Sequence, residues 1–216
     1  MGNNELVKKY FQETAQEFDD IYDNRGDIFK KLINKIFRKG IYERVALTLE
    51  ECQGSNKTVL DIGCGSGRIS LVLAQKRMKI LGIDYAPEMI NLAKEYLKQR
   101  PPDIKSSVEF KCADFMKDFE SKETFDITLA LGFFDYTKDP LPHLKKMKSL
   151  TKEKMIASWP DKFTPQMPIR KVWLWTRNCP VYFYGKKDIK KLYNLIGVSC
   201  PEIIKVAAGY LVIANL

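Results

Sequence analysis

A run of apolar residues that ends in three closely spaced glycines constrains this chain most: VLDIGCGSG, residues 59–67. The apolar part predicts a buried β-strand, and the glycines predict a turn that leads into a helix. Because Gly63, Gly65 and Gly67 carry no Cβ, the turn can adopt positive φ and a bulky ligand can approach the helix N-terminus. Strand, turn and helix in this order predict the first unit of an α/β sheet with a ligand at its carboxyl edge.

After this turn, strand-like and helix-like patterns alternate. The alternation predicts a parallel sheet covered on both faces, with right-handed crossovers. Two further strands close in sequence predict an antiparallel hairpin. The predicted fold is α/β, a Rossmann-like doubly wound sheet of about seven strands. Strands are predicted near residues 57–62, 79–84, 107–112, 125–131, 153–159, 201–207 and 209–215, and helices near 68–76, 87–98, 141–150 and 186–196.

Two segments fall outside the alternation. Residues 4–51 have apolar residues at helical spacing and predict an N-terminal helical lid, although their basic face would also suit a membrane surface. Residues 160–185 combine aromatic and basic side chains with four prolines and predict a functional insertion rather than one long helix. We therefore predict a single domain, 1–216, with a cofactor-binding core at 57–159 and a C-terminal helix and hairpin at 186–216.

Composition excludes several classes of protein. The five cysteines are scattered without a C-x-x-C pair and there is one histidine, so neither a disulfide framework nor a zinc site is expected, and we predict no metal. No run approaches the roughly 18 apolar residues that cross a bilayer. The N-terminus has no apolar signal core, which predicts a cytoplasmic protein. The net charge of +9 is spread along the chain and fits a solvated basic surface better than one anionic partner.

Two aspartates indicate the ligand chemistry. The glycine spacing is G-x-G-x-G, whereas dinucleotide sites use G-x-G-x-x-G. Asp61, two residues before the first glycine, would repel a pyrophosphate but suits a ligand with a cationic amino end. Asp84 ends the second predicted strand, 21 positions after Gly63 (84 minus 63), where its carboxylate can accept both hydroxyls of a ribose. A helix N-cap before Pro87 is the alternative role of Asp84.

These motifs resemble class I S-adenosylmethionine (SAM) methyltransferases. The run YFQETAQEFDDIY, residues 10–22, resembles the N-terminal helix of the quinone- and porphyrin-modifying members, which closes over the cofactor. The resemblance implies SAM as cofactor and S-adenosylhomocysteine as product. The cofactor-binding residues that it implies, together with the strand ends, are Tyr22, Asp61, Gly63, Cys64, Gly65, Gly67, Asp84, Tyr85, Met89, Asp114, Phe115, Leu131 and Gly132.

The fourth predicted strand leads into the region where methyl transfer would occur. Asp135 and Tyr136 are the best-placed polar residues there and are the predicted catalytic pair. Methyl transfer from a sulfonium depends mainly on proximity, and a general base is needed only when the acceptor must lose a proton early. His143 begins a helix, and we expect it to pack or lie at the surface.

The acceptor is expected to be a small molecule. The Asn/Asp-Pro-Pro-Tyr/Phe motif of nucleic-acid amino-methyltransferases and the Pro-Cys nucleophile of base C5-methyltransferases are both missing. The insertion at 160–185 suggests a flat or anionic acceptor. Two alternatives stay open: an RNA methyltransferase, which the charge and the aromatic residues favour, and a non-catalytic module that binds SAM or a partner.

Overall fold

The computed structural model describes residues 5–10, 41–164, 179–207 and 209–216. Within them, strands and helices alternate as the sequence predicts, and most ends fall within one or two residues of the predicted ones. The strands are β1 (Thr58–Ile62), β2 (Lys79–Asp84), β3 (Val108–Cys112), β4 (Phe125–Ala130), β5 (Thr151–Pro160), β6 (Glu202–Val206) and β7 (Gly209–Asn215).

The seven strands form one sheet in the order β3-β2-β1-β4-β5-β7-β6. Strands β1 to β5 pair in parallel; Leu60, for example, lies opposite Leu81 of β2 on one side and Thr128 of β4 on the other. Strand β7 is antiparallel to both β5 and β6. The predicted doubly wound sheet with an antiparallel C-terminal pair is therefore confirmed. The chain order reverses between β1 and β4, where open α/β sheets bind ligands.

Helices cover the sheet. One short helix, directly before β3, lies outside the predicted ones and begins with a proline in its first turn. Residues 5–10 and 41–51 are also helical, whereas residues 11–40 of the predicted lid and 165–178 of the predicted insertion lie outside the described residues. The helices are α1 (Arg68–Gln75), α2 (Pro87–Lys98), α3 (Pro102–Ser107), α4 (Pro140–Ser149) and α5 (Lys186–Leu195), with a 3₁₀ turn at Phe134–Tyr136.

The core has one layer on each face of the sheet. Successive residues of a strand point to opposite faces, so Leu60 packs in the layer of α4 and α5 while Val59 packs in the layer of α1 and α2. The helical residues 41–51 cover the second layer through Leu47. The beginning of this helical segment is fixed to the β6–β7 turn, where the Glu43 carboxylate accepts a hydrogen bond from the Ala207 amide at 2.8 Å.

Candidate functional site

The glycine turn sits on the carboxyl end of β2. The amides of Gly63 and Cys64 both donate to the carbonyl oxygen of Ile83, at 2.8 and 3.0 Å. Gly63, Gly65 and Gly67 have φ values of 70°, 55° and 73°, in the left-handed region that glycine adopts without strain. The backbone geometry that the sequence predicts for this turn is therefore present.

The two sides of the turn differ in packing. A Cβ on Gly67 would lie 2.3 Å from Cζ of Phe110, a β3 side chain that fills the space under the turn. A Cβ on Gly65 would meet nothing within 4 Å. The turn is thus supported from below at Gly67 and open above at Gly65, on the side from which a ligand can approach.

Asp61 lies beneath the turn. Its side chain is 3% exposed, and one carboxylate oxygen accepts a hydrogen bond from the Ser70 hydroxyl at 2.6 Å. Burial, and to a smaller extent the nearby charge of Asp84, raise the pKa of Asp61 to about 6, against the lowering effect of the Ser70 hydrogen bond. Sequence reasoning missed Ser70, whose place in the first turn of α1 was the available signal. Asp61 can act on a cation above it through its charge, and direct contact with a ligand stays a prediction.

Asp84 lies beside the open side of the turn. Its carboxylate accepts hydrogen bonds from the Gly65 amide at 3.0 Å and from the Ala86 amide at 2.9 Å. Burial raises the pKa of Asp84 to about 6, against the effect of these amides. The N-cap position of α2 is occupied by Ala86 rather than Asp84. Because each carboxylate oxygen can accept a further hydrogen bond, Asp84 retains the capacity to bind two hydroxyls.

Four other predicted residues follow the ends of β2 and β3. Met89 and Phe115 are enclosed by protein, in α2 and in the layer of α4 and α5. Asp114 is half-buried, and its carboxylate accepts hydrogen bonds from the amides of the next turn, at 2.8 Å from Met116. Tyr85 is half-buried under the N-terminal helical residues. Contact of these four with a cofactor stays a prediction.

An arginine that sequence reasoning missed reaches the ends of β4 and β5. The Gly132 amide donates to the Ser158 hydroxyl at 2.7 Å, and Nη1 of Arg44 lies 3.5 Å from the same oxygen. A Cβ on Gly132 would lie 3.6 Å from Nη2 of Arg44. The Nε atom of Arg44 is buried and has no hydrogen-bond partner among the described residues. A guanidinium therefore stands beside the predicted Leu131-Gly132 segment with an unused donor.

The predicted catalytic pair lies in the 3₁₀ turn after β4. Asp135 is 4% exposed, and its carbonyl oxygen accepts a hydrogen bond from the Tyr182 amide at 2.8 Å, which ties this turn to the end of the insertion. Tyr136 is half-buried against the N-terminal helical residues. The two residues lie where the sequence predicts, but Asp135 is enclosed, and their catalytic role stays a prediction.

The N-terminal helical residues close over this edge of the sheet. Val7 and Tyr10 are buried against Cys179, and three half-buried residues pack on them. We call this group the lid cluster. It joins the N-terminal helix to segments that follow β2, β4 and β5; the predicted contact Tyr22 lies outside the described residues. The lid cluster consists of Val7, Tyr10, Tyr85, Tyr136, Cys179 and Val181.

Phe133, in the segment after β4, and His143 of α4 pack against each other beside the glycine turn. The ring of Phe133 lies 3.1 Å from the position of a Gly63 Cβ, so it walls the glycine turn, and sequence reasoning did not single it out. His143 packs 5.6 Å from this ring, between centroids, and its Nδ1 lies 3.0 Å from the carbonyl oxygen of Asp139. Burial lowers the pKa of His143. A packing role, as predicted, accounts for these contacts.

Neither a membrane span nor a metal cluster is present in the described ranges. None of their helices is long and apolar enough to cross a membrane. Among the same residues, no group of three histidine, cysteine or acidic side chains is arranged to hold a metal ion.

Comparison with known families identifies a match over most of the described core. Residues 53–195 match a family described as a methyltransferase domain, which is more than half of the chain. Among curated proteins, a ubiquinone biosynthesis O-methyltransferase of Colwellia psychrerythraea is 27% identical over 158 residues, covering 70% of this chain and 61% of that enzyme. The corresponding enzyme of Coxiella burnetii is 28% identical over 121 residues, 56% of this chain. This chain spans 47% of the Coxiella protein, about half its length.

A solved structure extends the similarity of fold to nearly the whole chain. The magnesium protoporphyrin IX methyltransferase of Synechocystis PCC 6803, crystallised with S-adenosylhomocysteine, has a TM-score of 0.76 and covers 98% of each chain. Its sequence is 20% identical, so this similarity concerns the fold.

Proposed function

We propose, from the premise that this chain belongs to the methyltransferase domain family, that it binds SAM and transfers the methyl group to a small molecule. The observation that carries the proposal is the pairing of an open glycine turn with a buried carboxylate. The amide of Gly65, on the open side, is held by Asp84, whose oxygens can each accept another hydrogen bond. A nucleoside lying on this turn would meet that carboxylate with its ribose.

Charges at the carboxyl edge suit the other end of SAM. The buried Nε of Arg44 and its guanidinium beside Gly132 offer a cation to the α-carboxylate of the methionine part. The buried charge of Asp61 favours the α-amino group. Phe133 and the half-buried segment after β3 offer apolar walls for adenine. The residues present therefore fit each part of SAM with a group of the right chemistry.

Bound SAM would supply a methyl group on a positively charged sulfur, which a lone pair of the acceptor attacks in line as the carbon–sulfur bond breaks. The chain would contribute position and exclusion of water, because the lid cluster packs the N-terminal helix on residues that follow β2 and β4. Tyr136 lies in that cluster and can touch an acceptor. Asp135 can support the turn that carries Tyr136, through the hydrogen bond from Tyr182.

The acceptor that we propose is a flat molecule methylated on oxygen. The matched relatives are described as O-methyltransferases of ubiquinone biosynthesis and of magnesium protoporphyrin. Aromatic side chains of the lid cluster support an acceptor of this shape. The proposed reaction requires no metal in any step. We also propose that the protein acts in the cytoplasm.

Calorimetric titration with S-adenosylhomocysteine tests the proposal. Removing a hydrogen-bond acceptor of this charged kind in Asp84→Ala should weaken binding by about 1.5–3 kcal/mol, or roughly 10- to 150-fold. Glu95→Ala, an exposed acid on α2, is the matched control and should bind like the native protein. Absence of binding to the native protein would refute the proposal, and equal binding by Asp84→Ala would refute the ribose role.

A further inference from the structure

The helical residues 41–51 are held at two points along strand β5. Near the end of this segment, the Lys154 ammonium donates hydrogen bonds to the carbonyl oxygen and the carboxylate of Glu51, at 3.1 and 2.7 Å. Near its beginning, Arg44 reaches the hydroxyl of Ser158. Alternate residues of a strand point to the same face, so Lys154 and Ser158 both meet the segment from one side of the sheet. The second of these points lies beside the candidate site.

The Ser158 hydroxyl joins two parts of the site. It accepts a hydrogen bond from the Gly132 amide at 2.7 Å, and Nη1 of Arg44 lies 3.5 Å from the same oxygen. The residue is 3% exposed. Because a hydroxyl oxygen has two lone pairs, it can accept from both donors at once. One buried atom therefore connects the backbone that follows β4 to the segment that carries Arg44.

The Arg44 side chain depends on such a contact for its position. An arginine side chain is long and flexible, and a guanidinium that is already oriented binds a ligand at a lower cost in entropy. Among the described residues, the Ser158 hydroxyl is the hydrogen-bond acceptor of this guanidinium. No side chain stands between the guanidinium and the Gly132 backbone, since a Cβ on Gly132 would lie 3.6 Å from Nη2 of Arg44. Ser158 thus fixes the place from which Arg44 can meet a ligand.

We propose that Ser158 is a positioning residue, whose hydroxyl holds the Arg44 guanidinium beside Gly132 and orients it toward the α-carboxylate of SAM. This inference rests on the proposed function, in which Arg44 pairs with that carboxylate. Ser158 acts through Arg44 and does not need to touch the ligand. Loss of its hydroxyl should therefore weaken only ligands that carry the carboxylate, and only in a protein that retains Arg44.

The first test measures the binding of two ligands to the native protein and to Ser158→Ala by calorimetry. The ligands are S-adenosylhomocysteine and its decarboxylated analogue, which keeps the amino group. Ser158→Ala should bind S-adenosylhomocysteine roughly 2- to 12-fold more weakly, the effect of one hydrogen bond, and the analogue with unchanged affinity. Thr151→Val is the matched control, because it removes another buried hydroxyl of β5, 2.7 Å from that of Thr128 and at the opposite end of the strand. It should leave both affinities unchanged.

A double-mutant cycle is the second readout, which a merely structural role of Ser158 would not satisfy. The double variant Ser158→Ala with Arg44→Gln should bind S-adenosylhomocysteine as Arg44→Gln alone does, because the two residues act as one unit. If Ser158→Ala does not fold, Ser158→Thr and Ser158→Val, which are similar in size and differ in the hydroxyl, replace it. The threonine variant should then bind S-adenosylhomocysteine roughly 2- to 12-fold more tightly than the valine variant.

Several outcomes would overturn the inference. They are full affinity of Ser158→Ala for S-adenosylhomocysteine, equal weakening of both ligands, a further loss of affinity in the double variant, and equal affinity of the threonine and valine variants. Failure of the native protein to bind S-adenosylhomocysteine would instead overturn the proposed function.

Discussion

Two buried carboxylates, Asp61 and Asp84, lie close enough for the charge of one to raise the pKa of the other. Burial places both pKa values near 6 rather than near 4. Both groups are thus protonated at pH 5 and ionised at pH 7. An ionised Asp84 accepts hydrogen bonds from ribose hydroxyls, and an ionised Asp61 attracts an amino group. The charge state of two residues therefore couples ligand binding to pH.

Binding of S-adenosylhomocysteine should strengthen from pH 5 to pH 7. For one carboxylate with a pKa of about 6 that must be ionised in the complex, the gain is about tenfold. The amino and carboxyl groups of the ligand keep their charges over this range. Calorimetry at the two pH values measures the gain, and Asp84→Asn should reduce it because only Asp61 then titrates. Affinity that falls or stays constant as pH rises would contradict this account.

A substitution of Arg44 should affect one end of the ligand and leave the other end unaffected. Arg44→Gln should weaken binding of S-adenosylhomocysteine by roughly 10- to 150-fold, since it removes a charged donor from the α-carboxylate. Binding of 5′-methylthioadenosine, which lacks that carboxylate, should be unchanged. Calorimetry with both ligands provides the comparison, and the exposed Arg100→Gln is the control. Equal weakening of both ligands would assign Arg44 to packing alone.

At the level of elements, the glycine turn divides its tasks between two positions. At Gly67 the ring of Phe110 occupies the space that a Cβ would need, whereas a Cβ on Gly65 would have nothing within 4 Å beyond its chain neighbours. Gly67 therefore serves the packing of the turn on the sheet. Gly65 serves the access of a ligand, and substitution at each position should reveal a different defect.

Alanine at these two positions should separate stability from binding. In Gly67→Ala the new methyl group collides with Phe110, so we expect a loss of about 1–3 kcal/mol from overpacking in addition to about 1–2 kcal/mol from positive φ. In Gly65→Ala only the φ cost applies, and the methyl group should obstruct S-adenosylhomocysteine. Urea unfolding and calorimetry measure the two effects. A Gly67→Ala protein as stable as Gly65→Ala would contradict the packing role.

Elements with long periodic patterns could be predicted from the sequence, and contacts between distant segments could not. Strand β1 and helix α2 were predicted because their apolar spacing depends only on neighbouring residues. Arg44 was missed because its distance from Gly132 depends on how the helical residues 41–51 dock on the sheet. Tyr85 was predicted to lie near adenine, but the absence of a partner for its hydroxyl appears only once the lid cluster is assembled.

At the level of the whole molecule, one sheet joins two apolar layers. Leu144 of α4 and Leu73 of α1 lie on opposite faces, and both are 0% exposed. Because adjacent residues of the same strands support both layers, loss of packing on one face weakens the strands that the other face needs. We therefore expect the two layers to unfold together.

Leu144→Ala and Leu73→Ala should each lower the free energy of unfolding by about 2–5 kcal/mol. Each should shift a single transition rather than split it, so circular dichroism and tryptophan fluorescence should coincide during urea unfolding. Val72→Ala, at a side chain that is 39% exposed, should change little. A second transition in either variant would show that the layers unfold separately.

The position of β7 between β5 and β6 affects how the protein can be made. During synthesis on the ribosome, β5 emerges before β7 does, although β7 is its partner along the whole run from Lys154 to Pro160. Until then the apolar β5 offers an unpaired edge, the kind of edge to which another chain can add. The nascent chain is therefore open to edge-to-edge aggregation in the interval between these two strands, and a chaperone that covers this edge would protect it.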